Sequence, residues 1–150
     1  MKCASQLIAS FLLCAMSLPG MAQPVTPGPD VILIRATAKT PDQVVEAIKA
    51  YAKSQKWLFM GANTVKPKLG AVTMVKVCVP KVAAILWPVG LQVSAFLPCG
   101  NLGVYRGEGK TQVSMLHPGY MQILYPHPNV EKAVALATPL LTTMLEAITK

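Results

Sequence analysis

"NLGVYRGEGKTQVSML", residues 101–116, holds two runs of alternating side chains around Gly107, Glu108 and Gly109. Its middle, "GEGKT" (107–111), looks like the end of a phosphate-binding loop. That loop needs a glycine five positions before Gly109, and Val104 stands there. It also needs a helix to follow, whereas "TQVSML" alternates as a strand does. The stretch therefore reads as a β-hairpin: strand, "GEG" turn, strand. That decides for a mostly antiparallel sheet.

Working upstream, "AVTMVKVCV" (71–79) is the strongest strand. "PKVAAILW" (80–87) begins a short helix, with Pro80 suited to its first turn. Pro88 and Gly90 stop that helix, so residues 82–97 cannot form one continuous membrane helix. The spacing predicts a buried helix–loop, passing through the core or a subunit contact. "KWLFMGANTV" (56–65) reads as a strand running into a turn, and "KPKLG" (66–70) is loop. "TPDQVVEAIKAYAKSQK" (40–56) is a well-marked helix. Thr40 is its N-cap, Pro41 its first residue and Gln43 the partner in a capping box. Val44, Val45, Ile48 and Ala52 form one apolar stripe, and Asp42 and Glu46 sit where the helix dipole favours negative charge. "VILIRAT" (31–37) has the β-branched density of a first strand.

Downstream, "HPGYMQILYPHPN" (117–129) is broken by prolines and has room for one helical turn. From Asn129 a last helix carries Val130, Val134, Ala137, Leu141, Leu145 and Ile148 at helical spacing. Pro139 is expected to kink it. The sum is a single two-layer α+β domain over residues 31–150. It has about five strands in a mostly antiparallel sheet and three or four helices on one face.

The N-terminus bears on compartment. Lys2 precedes an apolar run, "LIASFLLCAMSL" (7–18), and Gly20 and Ala22 are small residues before a cut near Ala22–Gln23. This is the pattern of a cleavable signal peptide, residues 1–22, followed by a Pro/Gly-rich linker over 23–30. The run is shorter than the roughly 20 apolar residues of a membrane span. The expectation is a periplasmic or secreted protein with no transmembrane segment in the mature chain, Cys3 and Cys14 being discarded. The formal net charge is +8, and removing Lys2 lowers it by one. Its lysines are scattered, and an exported protein rarely meets nucleic acid, so no nucleic-acid partner is expected.

Chemistry-bearing residues are few. The carboxylates of the mature chain are Asp30, Asp42, Glu46, Glu108, Glu131 and Glu146. One lies in the linker and one in a turn, and the others lie on polar helix faces. No pair is placed for acid–base work, and there is no G-x-S-x-G elbow. An enzyme is therefore disfavoured. Cys78 and Cys99 remain, and in an oxidising compartment two thiols in one small domain usually pair. A structural disulfide, a redox or sulfur-carrying pair, a metal site and two unpaired thiols all stand as readings. Cys78 lies two residues before Pro80, at a predicted helix N-terminus, a setting that favours thiolate chemistry. For metal, Met115 and His117 are expected on one strand face with Met121 shortly after. Thioether, thiolate and imidazole together suit a soft ion such as copper. Against that, Met115 is ordinary core filler, and His127 shares the His-Pro context of His117.

"VCVP" (77–80), "LPC" (97–99), the hairpin and "HPGYM" (117–121) follow one another in an order and spacing that resemble the family catalogued as domain of unknown function 302. With the first helix included, the likeness spans about 115 residues. The resemblance implies a compact α+β domain that associates as a homodimer and has no established activity. It also implies a branch with cysteines at the positions of Cys78 and Cys99, flanked by Pro80 and Pro98. Val79 departs from the asparagine of the family, and Gly100 stands where arginine is common. His117 takes a place where an acidic residue is commoner. A polar site built from the asparagine and arginine should be absent or altered here.

The expected function is that of an exported binding or accessory protein with a thiol site at Cys78 and Cys99. The alternative is an interaction domain stapled by a Cys78–Cys99 disulfide and acting through dimerisation or protein contact.

Overall fold

The computed structural model describes residues 31–95 and 101–150. The expected signal peptide and linker, together with Pro98, Cys99 and Gly100, lie outside the described residues.

The hairpin forms as read. Strands β4 (Asn101–Gly107) and β5 (Lys110–Leu116) are joined by Glu108 and Gly109. These two residues have φ of 52° and 74°, the left-handed pair of a type I′ turn that matches strand twist. Around the hairpin stand β1 (Ile32–Thr37), β2 (Leu58–Val65) and β3 (Val72–Cys78). The sheet order is β1-β5-β4-β3-β2, antiparallel throughout. Helix α1 (Pro41–Ser54) carries the chain from one edge strand to the other. Its capping box is complete: Gln43 N–H donates to Thr40 Oγ1 at 3.2 Å, and Thr40 N–H donates to Gln43 Oε1 at 2.8 Å. Tyr51 and Trp57 then meet edge to face, ring centroids 5.6 Å apart, where α1 turns into β2.

Side-chain alternation divides the sheet. Val75, Val77, Leu102, Val104, Val113 and Met115 point inward and are buried. Their partners in the core include Val44, Ile48 and Ala52 of α1 and Leu141, Met144 and Leu145 of α4 (Pro128–Thr149). The last helix runs through Pro139, with the Thr138 hydroxyl donating to Val134 O at 2.8 Å in the preceding turn. The outer face carries Ile32, Ile34, Met74 and Leu116, each about half exposed.

A polar node ties the ends of the fold together. The fully buried Thr111 hydroxyl donates to Lys39 O at 2.6 Å, and Lys39 Nζ donates to Ile148 O near the end of α4 at 3.0 Å. One β5 side chain thus holds the β1–α1 connection, and that connection holds α4.

Helix α2 (Pro80–Leu86) begins directly after β3 with Pro80 in its first turn. Two 3-10 turns, Trp87–Val89 and Leu91–Ala95, follow it. The expectation of a buried passage over 82–97 holds for Val82, Ala83, Leu86 and Val93. It needs correction for Ala84, Trp87 and Leu91, which are exposed. The reason is geometric: α2 sits at the end of the sheet, so one side meets the core while the other turns outward. Short α3 (Tyr120–Leu124) supplies the single helical turn expected between the prolines.

Candidate functional site

Cys78 is the last residue of β3, paired with Leu58 across the β2–β3 ladder. Alternation places it with Met74 and Lys76 on the outer face, opposite to Val75 and Val77. Packing agrees. Cys78 is buried, yet it groups with Ala83 of α2 in a small cluster separate from the main core.

The β2–β3 ladder slips between Phe59 and Gly61, so Met60 is an extra residue on β2. Gly61, at φ 133°, supplies the backbone freedom for this bulge. Alternation already puts Leu58 and Met60 on the outer surface beside Cys78, and the bulge adds Gly61 to that face, opposite Lys76. An open cleft of about 440 Å³ results. Leu58, Met60, Lys76 and Cys78 form its sheet wall, and Ala83, Ala84 and Trp87 form its helical wall. Its size falls within the roughly 300–1,000 Å³ of small-molecule sites, and like them it is mostly apolar with few polar groups. The bulge escaped sequence reading. A glycine inside a strand run was its one signal.

The other residues singled out in the sequence do not converge on this cleft. Met115 and Met121 are buried in the main core. Met115 lies on β5, two strands from β3 and on the inner face, so roughly 10 Å of sheet and its thickness separate it from Cys78. His117 follows the end of β5, and its Nδ1 accepts the Gly119 N–H at 3.0 Å. His127 does the same job at the N-cap of α4, accepting the Asn129 N–H at 3.1 Å. Both imidazoles act locally as turn acceptors. Among the described residues no three His, Cys, Asp or Glu side chains gather into a metal-binding group. The described carboxylates, Asp42, Glu46, Glu108, Glu131 and Glu146, are all exposed.

Pro80 lines the same cleft as Cys78. Val79 turns the other way, into the main core, 2% exposed. The residue that departs from the asparagine of the resembled family is therefore a packing group here.

The sequence pattern of the family described as domain of unknown function DUF302 matches residues 34–148. A crystal structure of an uncharacterized conserved DUF302 protein from Bacillus stearothermophilus superposes with a TM-score of 0.69 at 20% identity. The alignment covers 79% of this chain and 98% of that one, and at this identity the likeness is one of fold. No curated protein matches. Among the described residues, no helix is long and apolar enough to cross a membrane.

Proposed function

The chain belongs to the DUF302 family, and from that premise we propose that it is an exported protein that binds a small, largely apolar ligand in the cleft beside Cys78. The observation that carries this reading is the cleft itself. A strand-end thiol, a β-bulge and the outward side of α2 together leave an apolar hollow outside the core. Core packing explains the buried residues of this region but gives no reason for such an opening.

The proposal gives Cys78 and Cys99 a joint role in the cleft wall. The β3–β4 register supports it, since Lys76 pairs with Asn101. Cys78 is two residues beyond Lys76, and Cys99 is two residues before Asn101. Two residues of chain span at most about 7 Å, so this register permits the two cysteines to meet without requiring it. Joined, they fix the cleft; reduced, they offer it two soft sulfur groups.

The test uses the neutral apolar dye N-phenylnaphthylamine. Wild-type protein should enhance its fluorescence in a saturable manner. Ala84→Trp should weaken binding at least about tenfold, or about 1.4 kcal/mol, because the indole fills the hollow. Ala84 is exposed, so its replacement should leave stability within about 0.5 kcal/mol. A wild type that does not bind, or a variant that binds equally well, refutes the reading.

A second reading rests on the outer sheet face. Ile32, Ile34, Met74 and Leu116 leave an apolar surface of the kind that marks association. Here the Cys78–Cys99 staple rigidifies a domain that acts as a homodimer. Sedimentation at micromolar concentration decides it: a monomer at every concentration removes this reading.

A further inference from the structure

The cleft beside Cys78 does not end at Met60 and Lys76. A second hollow of about 430 Å³ begins at the same two residues and continues along the outer face. Its floor is low because Gly61 and Gly103, on the strands either side of β3, carry no side chains there. The opening is clearest at Gly61, where a Cβ would meet nothing within 4 Å, whereas at Gly103 the Ser114 hydroxyl leans over the backbone. Met74 and Met60 form apolar shoulders. The two hollows make one trough running across β2, β3 and β4, with Lys76 at their junction.

Charge in this trough is one-sided. Lys76 is the cation common to both hollows, and among the described residues no aspartate or glutamate lines either of them. The ion pair found among the described residues, Lys49 with Glu46, lies on α1. Lys76 is exposed, so its stem lies along the apolar walls while its ammonium meets solvent, and an anion brought by a ligand is the charge partner that the lining does not supply.

We propose that the trough takes a single-chain carboxylate amphiphile, its carboxylate on Lys76 at the junction and its apolar chain along the hollow walled by Leu58, Met60 and Trp87. This rests on the cleft-binding reading above and adds the ligand class. The apolar chain suits the methionine and leucine walls. The single cation at the junction suits one carboxylate head rather than a neutral alcohol.

The experiment is displacement of the bound dye by dodecanoate and by dodecanol, each below its aggregation limit. It is run on wild type, Lys76→Met and Lys76→Arg. Wild type should bind dodecanoate about fivefold more tightly than dodecanol, a difference of about 1 kcal/mol, the upper end for an exposed ion pair. Lys76→Met should bring the two within twofold of each other by weakening the acid alone, and Lys76→Arg should retain the preference. Equal affinity for acid and alcohol on wild type overturns the carboxylate assignment while leaving the cleft reading standing. So does a preference that survives Lys76→Met. If dye binds but neither compound displaces it, the chain class is wrong. If dye, acid and alcohol all fail on a protein that sediments as a dimer, a second copy covers the face, and the cleft reading falls with this one.

Discussion

Reduction of the proposed Cys78–Cys99 disulfide should cost this domain about 3 kcal/mol of stability. Twenty residues lie between the two thiols, and closing a loop of that length removes this much conformational freedom from the unfolded chain in the chain-entropy account. The folded side contributes less. Cys78 packs with Ala83 beside an open cleft and apart from the main core. Cys78→Ala therefore loses about one methylene equivalent of burial, roughly 0.8 kcal/mol, with little cavity penalty because the site already opens to solvent. The two contributions separate in one assay, equilibrium urea unfolding with and without reductant. Without reductant, Cys78→Ala should fall about 3–4 kcal/mol below wild type, by adding the two terms. With reductant, the gap should shrink to about 1 kcal/mol or less. At roughly 4 °C per kcal/mol for a domain of this size, the oxidised wild type should melt about 12 °C above the reduced one. Cys99→Ala should reproduce the reductant effect. A wild type indifferent to reductant, or a Cys78→Ala penalty equal under both conditions, refutes the staple.

The polar node offers a second measurement. Thr111→Val keeps the shape but strands the Lys39 carbonyl, so it should destabilise by about 1–3 kcal/mol in urea unfolding. Thr111→Ser keeps the hydroxyl and should cost less than valine does; the reverse ranking would mean that packing, not the hydrogen bond, holds this point. Thr40→Ala removes one half of the α1 capping box and should cost about 1 kcal/mol, with an unchanged melting temperature counting against the cap.

Much of the fold was legible because its signals are local. A capping box is settled by residues three positions apart, and Thr40 and Gln43 bond as their spacing implies. The "GEG" turn needs two residues with positive φ, and Glu108 and Gly109 adopt them. The single turn at Tyr120–Leu124 follows from the prolines on either side. The candidate site was legible only in part. Cys78 stood out by its chemistry, but "VTMVKVCV" (72–79) is apolar at all but two positions, and those two, Thr73 and Lys76, fall on opposite faces, so alternation leaves its phase open. Met115 and His117 attracted attention as soft ligands, and the fold uses the first as core and the second as a turn acceptor.

The sequence by itself determined the α+β class, the succession of strands and helices, the cap of the first helix and the hairpin. Each follows from contacts between residues a few positions apart or from one element's own periodicity. Tertiary structure decided that β1 and β2 would be opposite edges of the sheet, and that Met60 would bulge from β2. It also decided that Cys78 and Lys76 would share the outer face beside the outward side of α2. These depend on register between strands far apart in the chain and on where α2 lands at the end of the sheet. Such outcomes belong to the packing of the whole domain, and the cleft exists only at that level.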